Sequence, residues 1–338
     1  HSTQGGLWGH DVVFENPAVE FGLRTEPFEL TLHSATLGYD GAELAVEGQL
    51  RGGADGWDYQ LIGDLPALSH EQLMVLWPEG RSEKTRIWLN DNVDDAAFRD
   101  AEFTLSAEPG QKAKFGFETE LAGATIRYAK NLSPGVDVNG HVSLLDKKLR
   151  AEVQSGMIFP LPDQGLDASG TVFSIEDVSD KSGSALVRLQ GKGPLASVLA
   201  LLEEIPALSV DDTDLNGLAD GQAEFSGALA FPIGRVPQPD EYRYSVNGTI
   251  TGVISDSLVP KQTVTADELS VNATNESILI QGPARIGGVE INAGWNSAQN
   301  AGDGTSALTG LIEISQDFVH EFGLGLPDGM VNGEGVGE

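Results

Sequence analysis

The residues with the richest chemical repertoire in this chain are its six histidines. His1, His10, His33, His70, His141 and His320 stand far apart, and none falls in a metal-ligand spacing. No cysteine is available to complete one. The glycine-rich loops that cradle phosphates or dinucleotides are missing, and so is the strained turn that presents a nucleophilic serine. Carboxylates are plentiful. Adjacent pairs such as Asp94-Asp95 and Glu203-Glu204 raise the question of a glycosidase, which needs two carboxyl groups opposed across a cleft. With 51 acidic residues in the chain, such neighbours arise by chance, and a solvated surface is the plainer reading.

One acidic loop is sharper. Asp212-Thr213-Asp214-Leu215-Asn216-Gly217 matches the first half of a calcium-binding loop, and Asp220 falls at its ninth position. The twelfth position, where a bidentate glutamate belongs, is Ala223, and Glu224 comes one residue late. A strand pattern follows where a helix is required. Asp212, Asp214, Asn216 and Asp220 therefore form a subsidiary calcium candidate beside the plainer reading of a polar turn. Asn131, Asn247, Asn272 and Asn275 each open an N-x-[ST] sequon, which has meaning only in a eukaryotic secretory pathway.

Composition narrows the function classes. Twenty basic against 51 acidic residues leave a net charge of −31. Such a surface repels phosphate backbones, so nucleic acid is not an expected partner. It also disfavours docking flat on anionic headgroups. No cofactor is implied. No apolar run approaches the ~20 residues of a membrane-spanning helix. The chain opens at His1 in mid-pattern and closes on a stretch, Met330 to Glu338, that reads like a new strand. It is expected to be an internal segment of a longer protein, with any membrane anchor in the flanking parts.

The dominant pattern is alternation. Phe28, Leu30 and Leu32 alternate with Glu29, Thr31 and His33. Phe115 and Phe117 alternate with Lys114, Gly116 and Glu118. Val136, Val138, Val142 and Leu144 are separated by Asp137, Asn139, His141 and Ser143. Tyr242, Tyr244, Val246 and Ile250 are separated by Arg243, Ser245, Asn247 and Thr249, and Ile278 and Ile280 continue the theme. Period two marks strands with one apolar and one wet face. Turn signals at Gly38 to Gly41, Gly52 to Gly56, Pro109-Gly110, Pro134-Gly135, Asn139-Gly140, Asn247-Gly248 and Gly287-Gly288 predict antiparallel meanders.

Four helical patterns interrupt the strands. Ser69 and Gln72 form a capping-box sequence ahead of Leu73 to Trp77. Ser82 to Asn92 carries Ile87, Trp88 and Leu89. Leu195, Val198, Leu199, Leu202 and Ile205 fall at helical spacing after Pro194. Phe318, Val319 and Phe322 follow Ser315. The helices follow comparable strand blocks at Leu61 to Leu65, Ala185 to Leu189 and Leu308 to Ile314, a weak internal repeat. The expected organisation is a first set of strand blocks over residues 1–190 and a second over 191–338, joined as one continuous elongated domain.

Leu76-Trp77-Pro78, then Arg86, Trp88, Leu89 and Asn92, then a strand at Ala101 to Leu105, resemble a signature of the AsmA-like superfamily. The branch is that of the large YhdP-type proteins, relatives of TamB. The glycine expected after the second helix is replaced by Asp94-Asp95-Ala96. Phe115 to Tyr128, Pro134 to Leu144, Ala284 to Val289 with Trp295, and the Ser315 to Met330 region resemble the family's paired strands and recurring helix.

The resemblance implies a mainly β protein whose long, curved antiparallel sheet forms a U-shaped apolar groove, with a few short helices between strand blocks. It implies a periplasmic bridge anchored to the inner membrane by a segment outside this chain. The partner would be phospholipid, carried between inner and outer membranes without catalysis. Phe28, Leu30, Leu32, Phe115, Phe117, Val136, Val138, Val142, Tyr242, Tyr244, Val246, Ile250, Ile278 and Ile280 then become candidate lipid contacts. Two other classes stand beside this one. An all-β structural or adhesive module, calcium-stabilised at Asp212 to Asp220, would pack its alternating faces against each other. A carbohydrate-active enzyme would need a carboxylate pair that nothing in the spacing selects.

Overall fold

A computed structural model of the protein describes residues 11–77, 82–205, 215, 217–287, 289–298, 306–314 and 335–337. The fold is mainly β: among the described residues nineteen strands belong to one antiparallel sheet, accompanied by three short α-helices. By compactness the chain divides into a first unit of residues 1–130, 134–156 and 172–185 and a second of 131–133, 157–171 and 186–338.

The first unit is a meander. Strands β1 (Glu15–Thr25), β2 (Phe28–Tyr39), β3 (Ala42–Gly53), β4 (Gly56–Ser69), β6 (Ala97–Ala107), β7 (Lys114–Ile126) and β8 (Gly135–Leu145) each pair with the next in antiparallel fashion. The two-residue β5 (Val93–Asp94) pairs with the end of β7. The β2–β3 turn fits its residues: Asp40 and Gly41 have φ of 46° and 80°, the two positive values of a type I′ hairpin. Between β4 and β6 the chain leaves the sheet for α1 (His70–Leu76) and α2 (Glu83–Asn92). The capping box expected at Ser69 forms: the Gln72 amide donates to Ser69 Oγ at 3.1 Å, and Ser69 N donates to Gln72 Oε1 at 2.8 Å. Gln72 Nε2 also donates to the Asp40 carbonyl at 2.7 Å, tying the helix to the β2–β3 turn.

β9 (Lys148–Leu161) begins in the first unit, where Leu149 and Ala151 pair with Ile175 and Phe173 of β11 (Val172–Ile175). It ends in the second unit beside β10 (Gln164–Asp167). There β12 (Ser184–Pro194) leads into α3 (Leu195–Glu203), in line with the helix expected after Pro194. A second meander follows: β13 (Asp220–Pro232), β14 (Arg243–Val259), β15 (Gln262–Thr274), β16 (Ser277–Ile286), β17 (Val289–Ala298), β18 (Ser306–Ile314) and β19 (Gly335–Gly337). The helix expected after Ser315 lies outside the described residues, as does the calcium candidate apart from Asp220, an exposed residue that opens β13.

Two expected turns are not turns. Asn139-Gly140 lies inside β8 and Asn247-Gly248 inside β14. Glycine serves there because the neighbouring strand comes close. A Cβ on Gly140 would stand 2.0 Å from the Glu152 carbonyl oxygen, and one on Gly248 3.1 Å from that of Glu224.

Each unit has its own small core under its helices. In the first, Leu68, Val93, Ala96, Phe98, Leu121, Ala124 and Val138 are buried together, with Leu73 and Leu76 of α1 and Leu89 of α2 packed against them. In the second, Leu195 of α3 is buried with Ala219, Ala223, Val253, Ala266 and Ala284, and Val198 and Leu199 pack alongside. The second cluster's sheet residues are mostly alanine, which lets the helix come close to the strands.

Candidate functional site

The register assembles the alternating residues into continuous apolar faces. In the first unit one row runs Phe21, Leu32, Gly48, Leu61, Leu105 and Phe115 across six strands. A second runs Leu23, Leu30, Leu50 and Tyr59, and a third Val46, Gly63, Phe103, Phe117 and Leu144. Val142 stands opposite Thr119 on the same face. Directly opposed side chains share a face, so each row is a strip of contiguous apolar surface.

The other face is charged. Glu29 accepts from Gln49 Nε2 at 2.6 Å, from Arg51 Nε at 3.2 Å, and from Arg24. The Arg51 hydrogen bond, with the two guanidinium charges, holds the Glu29 carboxyl below its ordinary range. His141 Nδ1 lies 2.9 Å from Glu120 Oε1 on this wet face. Among the described residues no histidine and carboxylate cluster could hold a metal ion.

Bulges keep the apolar face intact. Between Arg99 and Glu102 the β6–β7 register slips by one, with Asp100 at φ 48° as the extra residue. Without it, Phe98 and Phe103 would point to opposite sides. Slips between Leu121 and Ala124 on β7, and at Asp137 (φ 51°) on β8, continue the line. In the second unit the β13–β14 slip leaves Gly252 (φ 61°) extra, so Ile250 and Val253 share a face. On β15, Leu269 and Ala266 do the same opposite them.

The second unit's apolar rows repeat the design. Phe225, Gly248, Val271, Ile280 and Trp295 form one row, and Val246, Ala273 and Ile278 another. Leu229 faces Tyr244. Their strand neighbours Ser245, Asn247, Asn272 and Gln281 belong to the opposite face, where Asn272 Nδ2 donates to Asn247 Oδ1 at 2.7 Å.

Among the described residues the helices cover only one end of each face. Phe98, Leu121 and Val138 are buried beneath α1 and α2, as is Val253 beneath α3. Beyond the bulges no described helix packs on the face. Leu30, Leu61, Phe103, Phe117, Val142, Val246, Val271 and Ile280 are only half-buried although they lie on inner strands. Trp57 and Phe115 near the uncovered strand ends are 54% and 51% exposed, and Phe21 and Leu23 on β1, whose described pairing is with β2, are 57% and 56% exposed. A face closed by a second sheet would bury its mid-sheet side chains completely.

Most of the sequence-expected contacts fall on the partly open surface of one unit or the other. Phe28 is half-buried and meets Trp57 edge-on at 5.6 Å; Leu30, Leu32, Phe117, Val142, Tyr244, Val246, Ile278 and Ile280 are half-buried, and Phe115 is exposed. Burial raises the Tyr244 hydroxyl above its usual range. Tyr242 precedes β14 and places its ring 5.6 Å from that of Phe231. Val138 and Ile250 lie instead within or against the helix-covered clusters, and Val136 sits at the β8 bulge. Trp57, Tyr59, Leu61, Phe103 and Leu105 in the first unit and Val271 in the second belong to these surfaces beyond the expected set, and their alternation is just as clear a signal.

The carboxylate pair Glu203-Glu204 is engaged in holding loops. Glu204 accepts from Ser133 N at 2.6 Å and Ser133 Oγ at 2.5 Å, and Glu203 accepts from Leu215 N at 2.5 Å. Asp167, Asp177 and Asp180 each take the hydroxyl and amide of the serine two residues on, which lowers their carboxyls below the ordinary range. No helix of the described residues is long and apolar enough to cross a membrane. No protein-family model, curated protein or solved structure matches the chain.

Proposed function

We propose that this chain is a non-catalytic lipid-binding module whose uncovered apolar faces hold the acyl chains of phospholipid. The observation that carries the reading is the half-burial of mid-sheet Leu30, Leu61, Phe103, Phe117, Val246 and Ile280. A contiguous apolar surface left partly open to water marks a site of interaction with a membrane, a protein or an apolar ligand. An acyl chain laid on it gains about 0.8 kcal/mol per buried CH₂, while a headgroup stays at the wet margin. No tight pocket is required, because a lipid held tightly would not move on.

The resemblance to the AsmA-like superfamily gives this module a setting. It would be one stretch of a periplasmic groove between inner and outer membranes, anchored by sequence outside this chain. The strongly acidic wet face suits a surface that stays in water.

The test is site-resolved lipid capture. A photo-crosslinking residue in place of Phe117 or Tyr244 should capture phospholipid in cells. The same residue at Glu118 or Ser245, their neighbours on the wet face, should not. Equal capture at all four sites, or none at Phe117 and Tyr244, would overturn the reading.

A further inference from the structure

On both apolar faces an aromatic ring lies down over a glycine of the next strand. Gly63 and Phe103 are register partners, and a Cβ on Gly63 would stand 2.1 Å from Phe103 Cζ and 2.3 Å from Cε1. In the second unit a Cβ on Gly191 would stand 2.2 Å from Phe225 Cζ and 2.7 Å from Cε1. The tip of each ring therefore occupies the space that a side chain on the neighbouring strand would fill. Trp57 repeats the arrangement over its partner Gly52, where the nearest ring atom would be 3.0 Å from a Cβ.

The placement has a consequence for the space above the sheet. Side chains standing off a strand take up about half of the ~10 Å at which stacked sheets separate. A ring lying across a glycine takes up less height. Neither Gly63 nor Gly191 has a positive φ, and Gly63 lies within unshifted pairing, so turn geometry does not demand them. What they allow is the low ring.

Resting on the lipid reading above, we infer that Gly63 and Gly191 set the headroom of the two apolar faces. They do so by letting Phe103 and Phe225 form a flat aromatic floor on which an extended aliphatic chain lies. A methyl group at either glycine drives the ring tip upward into the path of the ligand. The two glycines are thus positioning residues for the acyl chain, one in each unit, and neither needs to touch it.

The experiment pairs G63A with G116A, a wet-face control whose Cβ would stand 2.5 Å from Thr104 Oγ1, in protein carrying a photo-crosslinker at Phe117 or at Tyr244. G63A should lower phospholipid capture at Phe117 at least tenfold and leave capture at Tyr244 unchanged. G116A crowds the wet face of the same unit without raising the floor, so capture at Phe117 should persist even if that variant too lowers the melting temperature. G191A should reverse the pattern, losing capture at Tyr244 alone. Loss of capture in G116A equal to that in G63A would show that disturbed packing, not headroom, is responsible, and would overturn the inference. Undiminished capture in G63A and G191A would overturn it too, with the lipid reading intact. A parent protein that captures no phospholipid at either site overturns both.

Discussion

Phe98 and Phe103 lie on the same face of one strand, yet only Phe98 is buried. The bulge at Asp100 separates them and returns both rings to one side. Phe98 lies in the cluster beneath α1 and α2, whereas Phe103 stands beyond their reach. Each unit thus carries a short sealed core at one end of its strands and an unsealed apolar surface at the other.

That division predicts two classes of truncation. Leu121→Ala removes a buried side chain from the sealed cluster and should destabilise the lipid-free protein by about 2–4 kcal/mol, the ordinary cost of such a cavity. Phe115→Ala, at an exposed position, should cost about 0.5 kcal/mol or less. Urea unfolding followed by far-UV circular dichroism measures both. Equal costs would mean that the far end of the face is also closed over.

A second prediction concerns the bulge that keeps Val253 on the apolar side. Gly252 has φ of 61°, and a Cβ there would meet nothing within 4 Å, so its requirement for glycine is conformational alone. Gly252→Ala should cost about 1–2 kcal/mol, the penalty of a left-handed backbone for an L-residue. Gly227→Ala should cost more, since its Cβ would stand 2.5 Å from the Ser245 carbonyl oxygen. Denaturant midpoints of the two variants give the order, and a more harmful change at Gly252 would contradict it.

The strands and the first three helices could be read from the sequence because each carries a local signal. Period two marks β2, β7, β8 and β14, Ser69 with Gln72 announces α1, and Pro194 announces α3. The bulges cannot be read this way. One inserted residue, such as Asp100 or Gly252, breaks the alternation and looks like the end of a strand. For the same reason Asn139-Gly140 and Asn247-Gly248 read as turns, although partners distant in sequence demand glycine there. The split between covered and uncovered apolar residues is equally hidden: Val138 and Val142 alternate alike, and only the helix above Val138 distinguishes them.

The third prediction tests the seat of the first-unit helices. Ser69→Ala removes the hydroxyl that accepts the Gln72 amide and should cost about 1 kcal/mol. Because α1 has no fully buried residue, the loss should appear first as local opening of the helix. Hydrogen exchange of the α1 amides should speed up about fivefold, since 1 kcal/mol corresponds to that factor at room temperature. Amides of β7 at Thr119 should be unaffected. Uniform acceleration throughout the unit would show that α1 does not open on its own.

The fourth prediction follows protonation of Glu241 in the β13–β14 connection. Its carboxylate accepts from Arg235 Nη1 at 2.6 Å, from Arg235 Nη2 and from Gln238 N at 2.8 Å. The Arg235 hydrogen bond first, then that of the Gln238 amide, lowers its pKa from 4.5 to about 2. A carboxyl whose folded value is depressed stabilises the fold above its unfolded value and loses that contribution as pH falls through the folded one. The clamp should therefore be complete above pH 4.5 and be lost progressively as pH falls towards about 2. The Glu241 side-chain carbon resonance should titrate with a midpoint about 2, and Arg235→Gln should move that midpoint upward towards the ordinary glutamate value. A midpoint above about 4 in the parent protein would mean that Arg235 and Glu241 are not held together in solution.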